Sequence, residues 1–340
     1  MSAESWFNKI WYERRRPPWG LVPLSRIYGA ASQLRRAAYA KRLRRSTRMP
    51  QPVIVVGNLT AGGTGKTPLV CWLVGQLQQL GRKPGVVTRG YGGSSRHPRI
   101  IQTLDDAAIV GDEALLIARR TQAPVAIGRD RPAAAQLLVD RGCDVIVSDD
   151  GLQHYAMARD CEIAVIDGER RFGNGYLLPA GPLREPPQRI RSVNAIVLNG
   201  GPPLNAADEL LTAGALRMHL QACNATALSG GRSKALKEFA GQPVHAVAAI
   251  GNPQRFFNLL RSYGIEVIAH PLPDHAPLRA ADICFNDDRP VLMTEKDAVK
   301  CGNMAGAQHW YVPVGVAFDG DDSGALLKIV TNSLGNPLRH

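Results

Sequence analysis

Short unbroken apolar runs alternate with segments of helical spacing through the middle of the chain. Val53–Val56, Val86-Val87, Val125–Ile127, Val145–Val147, Ile163–Ile166 and Ala195–Leu198 are apolar at successive positions. That is the pattern of strands covered on both faces. Between them, Leu69, Leu73, Leu77 and Leu80 recur at helical intervals, and Arg131–Asp140 carries a second helical pattern. Gly81 and Gly142 stand where these helices should stop. Strand–helix alternation predicts an α/β fold, a mostly parallel sheet with helices on both faces. Around Gly200–Gly231 the pattern weakens, and Pro202-Pro203 and Gly230-Gly231 suggest a hinge or linker.

The pattern then restarts. Val244–Ile250 reads as a strand, and Gly251-Asn252-Pro253 as an N-cap with proline at the first helical position. The helix carries Phe256, Phe257, Leu259 and Leu260, stops at Gly264, and Ile265–Ala269 and Val291–Met293 read as further strands. The expected organisation is an N-terminal segment over 1–50, a main α/β domain over 51–215 and a smaller α/β domain over 216–340 that closes on it. No internal repeat is evident.

Charge changes the picture only at the N-terminus. The chain has 340 residues and a net charge of +12, yet residues 1–50 hold twelve Lys/Arg against Glu4 and Glu13. The body is therefore nearly neutral. Trp6, Trp11 and Trp19 interleave with Arg14–Arg16; Trp6/Ile10 and Phe7/Trp11 are i,i+4 pairs. Ile27, Ala31, Leu34 and Ala38 form a second stripe flanked by Arg35, Arg36, Lys41 and Arg42. Such faces suit an interfacial helix, whose cations gain about 1 kcal/mol each near anionic lipid. A helix packed on the body with a solvated basic face, or a nucleic-acid arm, shares the pattern. The neutral body argues against nucleic acid. No run of 18 apolar residues and no signal-type h-region occurs, so the expectation is peripheral attachment without a transmembrane helix. Six scattered cysteines without C-x-x-C spacing exclude a disulfide framework or zinc site and fit a reducing cytosol.

Chemistry concentrates between the first strand and first helix. Thr60-Ala61-Gly62-Gly63-Thr64-Gly65-Lys66-Thr67 is a phosphate-binding loop of the P-loop NTPase type, with Thr60 where the pattern usually has glycine. Backbone N–H groups and a helix start converge there. Lys66 would reach the β- and γ-phosphates of ATP, and the Thr67 hydroxyl would ligate Mg²⁺. The strand Val145–Val147 runs into Asp149-Asp150, carboxylates placed to hold Mg²⁺ directly or through water. Gln153 and His154 follow, suited to orienting a polar substrate. Gly111-Asp112-Glu113 reads equally as a helix start with acids on the dipole. Thr88-Arg89-Gly90-Tyr91-Gly92-Gly93 is a flexible loop bearing one cation.

These motifs occur in one order, followed by Leu178-Pro179-Ala180-Gly181-Pro182-Leu183-Arg184-Glu185, Pro273-Asp274-His275 and Met293-Thr294-Glu295-Lys296-Asp297. Together they closely resemble the tetraacyldisaccharide 4'-kinases, the lipid A 4'-kinases of Gram-negative bacteria. The resemblance runs to about Pro313. It implies an enzyme at the cytoplasmic face of the inner membrane. Such an enzyme transfers the ATP γ-phosphate to the 4'-hydroxyl of tetraacyldisaccharide 1-phosphate, giving lipid IVA. It further implies Asp112 as general base assisted by His275, with Lys66 on the phosphates and Asp149 and Asp150 on Mg²⁺. Asn58, Arg89, Gln153, His154, Arg171 and Asn174 fall to the substrate side. Arg129 is the cation expected near the transferring phosphoryl group, with Arg131 beside it as the alternative. The base remains open between Asp112 and the Asp149/Asp150 pair. The partners implied are the lipid A precursor and an anionic membrane surface, with no nucleic acid and no obligatory protein.

The alternative class is a P-loop switch or chaperone without a lipid acceptor. Guanine-reading switches carry N-K-x-D or T-K-x-D, and Thr294-Glu295-Lys296-Asp297 has the wrong order.

Overall fold

The computed structural model describes residues 3–13, 16–102, 104–202 and 212–335. Arg14 and Arg15 of the basic cluster and Pro203 of the expected hinge lie outside the described residues.

The buried runs form strands as expected: β1 Val53–Gly57, β2 Pro84–Thr88, β4 Val125–Ile127, β5 Val145–Asp149, β6 Cys161–Asp167 and β7 Ala195–Asn199; β3 Arg99–Ile100 and β8 Leu216–Gln221 join them without an apolar run of their own. Six more strands build a second sheet: β9 Asn224–Ala227, β10 Ser233–Ala235, β11 Pro243–Ala248, β12 Glu266–Pro271, β13 Val291–Thr294 and β14 His309–Val312. β15, Gly315–Phe318, then returns to the first. The larger sheet runs β15-β8-β7-β6-β1-β5-β2-β4-β3 and is parallel except where β15 meets β8 and β3 meets β4. The smaller runs β10-β9-β14-β13-β11-β12, parallel from β14 to β12.

Strand alternation divides the core of the larger sheet. Ile54 and Val56 face the helices Lys66–Gln79 and Asp112–Thr121, together with Leu73, Leu77 and Ile117. Val53 and Val55 face the opposite layer, with Ala134, Ala135 and Leu138 of the helix Arg131–Asp140. Asp130 caps that helix by accepting from the Ala133 N–H. Leu80 does not belong to the predicted stripe. The helix ends at Gln79, and Leu80 is its half-exposed cap residue before Gly81 turns left-handed.

After residue 215 the chain divides differently from the expected boundary. β8, β15 and the helix Asp322–Gly335 lie with the larger sheet, where Leu326 and Val330 are buried in its core. β8 and β15 are only half-buried, so their sequences lack the apolar run that marks a central strand. The second sheet packs Phe256, Phe257 and Leu260 on one face and Ile283 and Met293 on the other.

At the N-terminus, the helix Ala3–Asn8 runs into a π-helical turn, Lys9–Glu13. Ile10 is buried, and the Trp11 indole N–H donates to the Pro179 carbonyl at 3.0 Å. The helix Leu21–Ala40 packs through Ser25, Tyr28 and Gly29, where an added Cβ would meet Leu177 at 2.6 Å. Its opposite side leaves Leu24, Ile27 and Leu34 exposed. No helix among the described residues is long and apolar enough to cross a membrane.

Candidate active site

β1 ends centrally, between β5 and β6, and its C-terminal end opens into the loop of residues 58–65. Thr60 pairs with Leu183 in a strand-like bridge, and the Ala61 N–H donates to the Pro182 carbonyl at 2.7 Å. Thr60 is not among the residues with positive φ. A side chain therefore costs nothing at this position. Glycine is required two and five residues later, at Gly62 (φ 103°) and Gly65 (φ 92°). Gly65 caps the helix that begins at Lys66, and a Cβ there would strike the Asn199 amide at 2.3 Å.

β5 lies beside β1 in register, pairing Val56 with Asp149. Asp149 accepts from the Thr88 hydroxyl at 3.2 Å, while its Oδ1 is buried without a hydrogen-bond partner. Burial, then the nearby Glu113 and Asp150 carboxylates, push its pKa well above the ordinary carboxylate range. Asp150 adopts φ 48° and turns toward Lys66, 3.5 Å away, and Arg184, at 2.9 Å from both oxygens. Burial opposes its charge, but Lys66 and Arg184 overcome it and hold the carboxyl far below its usual range. A buried carboxylate oxygen with no donor, a second carboxylate and the neighbouring Thr67 hydroxyl form a donor set suited to a hard divalent cation.

The two sheets meet across a cavity of about 1030 Å³. Ala61 to Thr67, Arg89, Arg129, Asp149, Asp150, Gln153 and His154 line it from the larger unit, and Gly251, Arg255, Asp274, His275 and Lys296 from the smaller. Asp112, nearly buried at the start of its helix, lies directly behind His275. The imidazole Nδ1 is 3.0 Å from Asp112 Oδ1. Tyr91 packs edge-on against the same ring, and Gly111 admits the Tyr91 carbonyl where a Cβ would stand 2.5 Å from it. Lys296 contacts Glu113 at 3.1 Å, Asp274 at 3.2 Å and His275 Nε2 at 3.1 Å. With Nδ1–H donated to Asp112, Nε2 is the acceptor for the ammonium in the neutral ring. Burial works against both charges. The His275 hydrogen bond, Lys296 and Lys300 nonetheless lower the Asp112 pKa, and Asp112 and Asp274 raise that of His275.

His154 behaves differently. Burial and the guanidinium groups of Arg131 and Arg159 push its pKa down to about 4. Its Nε2 is buried without a partner, so a neutral imidazole edge is available to a ligand. Gln153 bridges the Asn58 carbonyl and Glu185. Arg131 is buried, donating to Ser148 and the Asp150 carbonyl, whereas Arg129 is exposed on the cavity rim.

Five predicted residues do not line the cavity: Thr60, held in the bridge to Leu183, Asp112, behind His275, and Asn58, Asn174 and Arg171. Asn58 is fully buried and donates to the Gly62 carbonyl. Asn174 donates to the Ile10 and Ala180 carbonyls, tying the N-terminal turn to the loop after β6. Arg171 donates to the Gly168 and Pro202 carbonyls. Conversely, Arg184, Glu113, Asp274, Lys296 and Arg255 carry cavity charge that spacing alone did not single out. Arg184, Glu113, Asp274 and Lys296 lie inside the motif runs, which was the available signal; Arg255 had none.

The family model described as tetraacyldisaccharide-1-P 4'-kinase matches residues 18–334. The chain is similar to a tetraacyldisaccharide 4'-kinase of Alkalilimnicola ehrlichii, 53% identical over 88% of this chain and 90% of the relative. That of Nitrosococcus oceani is 45% identical over 95% and 93%. Among solved structures, LpxK from Aquifex aeolicus in complex with ATP superimposes with a TM-score of 0.76 at 25% identity, covering 92% of this chain and 98% of that one.

Proposed function

Because the chain belongs to the tetraacyldisaccharide-1-P 4'-kinase family, and is thus an ATP-dependent kinase of lipid A biosynthesis, we propose that its chemistry runs between the loop 60–67 and the Asp112–His275 pair. The observation that carries this reading is that pair: a carboxylate on the larger unit meets an imidazole from the smaller, and the imidazole lines the cavity that the phosphate loop lines.

In this reading the loop amides and Lys66 hold the ATP phosphates, and Thr67, Asp149 and Asp150 would hold Mg²⁺, which would supply positive charge to offset the charge of the phosphates. The 4'-hydroxyl oxygen of the acceptor attacks the γ-phosphorus. A new P–O bond forms as the bond to the β–γ bridging oxygen breaks, and ADP leaves with its electron pair. The hydroxyl proton passes to Asp112, the anionic member of the pair, while His275 holds the carboxylate in place. Arg129 and Lys66 face the charge on the equatorial oxygens. Gln153, His154 and Arg89 line the cavity on the side left for the sugar. Asp112 shares the larger unit with the phosphate loop and His275 comes from the smaller, so closure assembles the pair and limits transfer to water.

The exposed Leu24, Ile27 and Leu34 beside the basic residues of the N-terminal helix support peripheral attachment to an anionic inner-membrane surface, with the active site on the cytoplasmic side. Transfer of γ-labelled phosphate from ATP to purified tetraacyldisaccharide 1-phosphate in detergent tests the whole reading. Mg²⁺-dependent labelling of the lipid is expected. ATP hydrolysis with no labelled lipid would remove the acceptor assignment.

A further inference from the structure

Three carbonyls of the phosphate loop are held from outside the cavity by side chains from three separate parts of the chain. The Tyr12 hydroxyl donates to the Ala61 carbonyl at 3.1 Å. The Asn58 amide donates to the Gly62 carbonyl at 3.3 Å, and the Asn199 amide to the Thr64 carbonyl at 2.9 Å. None of Tyr12, Asn58 or Asn199 lines the cavity, whereas Gly62, Gly63 and Gly65 do. All three peptide bonds are trans; the cis bond among the described residues is Leu178-Pro179. In a trans peptide the N–H points opposite to the C=O. Fixing the Ala61, Gly62 and Thr64 carbonyls outward therefore aims the Gly62, Gly63 and Gly65 N–H groups inward, where an anion would meet them.

Two of these pins are linked through an arginine to the smaller unit. Tyr12 sits in the π-helical turn that continues the aromatic N-terminal helix, with the Arg170 guanidinium over its ring at 4.8 Å. Arg170 in turn faces the Gly251 carbonyl of the smaller unit at 3.4 Å. The Asn199 Oδ1 accepts from Arg255 at 3.1 Å, which fixes the amide so that its NH₂ meets Thr64. Arg255 also approaches Asp167 at 3.6 Å.

We propose that Tyr12 and Asn199 are positioning residues for ATP: they preset the phosphate-loop peptide planes, and they tie that geometry to the N-terminal segment and to the smaller unit. The proposal rests on residues 60–67 being the phosphate site, which Lys66→Ala examines separately by loss of ATP binding. Tyr12→Phe removes one hydroxyl and keeps the ring under Arg170. Asn199→Asp keeps the acceptor for Arg255 and loses the donor to Thr64. Titration of ATP into the full-length protein, with steady-state kinetics on the lipid acceptor, is the test.

Each variant should raise the ATP dissociation constant and the ATP KM about three- to ten-fold, the worth of one neutral hydrogen bond. The KM for the lipid, the melting midpoint of Tyr12→Phe and its binding to anionic vesicles should stay unchanged. Unaltered ATP affinity in Tyr12→Phe, with Lys66→Ala still abolishing it, would overturn the pin while leaving the phosphate site intact. Retained ATP binding in Lys66→Ala would overturn both. A parallel rise in ATP and lipid KM would also overturn it, as general loosening rather than positioning.

Discussion

His275 Nδ1 lies 3.0 Å from Asp112 Oδ1, although 163 positions separate the two residues and they belong to different units of the fold. The contact is both the clasp between the units and the centre of the proposed chemistry. It is reinforced by Lys296, which reaches Glu113 on the larger unit, and by Arg120 to Glu295 at 3.1 Å.

Removing the carboxylate should cost chemistry rather than nucleotide binding. Asp112→Ala is expected to lower kcat by about 10²- to 10⁴-fold, the usual contribution of a general base. ATP affinity should be nearly unchanged. His275→Ala should fall short of that loss. Full turnover by Asp112→Ala, measured by lipid phosphorylation, would move the base to another carboxylate.

The clasp should also titrate. His275 is raised above its ordinary 6.5, so its stabilisation is complete below 6.5 and disappears as pH rises through the raised value. Asp112 is lowered below its ordinary 3.8, so its share is present above 3.8 and disappears as pH falls through the lowered value. The advantage of wild type over His275→Gln should therefore peak between those limits and shrink toward alkaline pH. Denaturant midpoints of the two proteins across pH check this; a gap that widens above neutrality would contradict it.

Asp149 Oδ1 has no donor in its buried position. Asp149→Asn should thus fold normally and need much more Mg²⁺ for half-maximal rate, and chelation should abolish turnover in both proteins. A Mg²⁺ titration decides it: superimposable curves would place the metal elsewhere.

Leu24, Ile27 and Leu34 are exposed on one side of the N-terminal helix, away from Ser25 and Gly29 that pack on the body. Replacing the three with serine should weaken flotation with anionic vesicles by at least about ten-fold, since each buried leucine contributes about 1.5–3 kcal/mol. The melting midpoint should hold. Undiminished flotation would move the membrane surface to another face.

Elements whose residues are buried on both faces were legible because burial imposes a continuous apolar run. β1, β5, β6 and β7 are such cases. The helix Arg131–Asp140 was equally legible, because Asp130 and Pro132 mark its start chemically. β8, β9 and β15 were not. Each is an edge or near-edge strand with mixed burial, and its identity comes from the strand it pairs with rather than from its own sequence.

The same division holds at the site. The sequence by itself marked the glycine-rich loop 60–67, the paired carboxylates at the end of β5 and the N-terminal aromatic–basic faces, because each depends on local spacing along one element. The pairing of Asp112 with His275 was implied only by the family resemblance, and only the tertiary structure decided that Asn58 and Asn174 hold backbone rather than line the cavity and that Tyr12 reaches the loop 60–67. The contacts of His275 with Asp112, Asn174 with Ile10 and Tyr12 with Ala61 join residues far apart in the chain, and a side chain's partner across such a distance is set by packing, which no local pattern encodes.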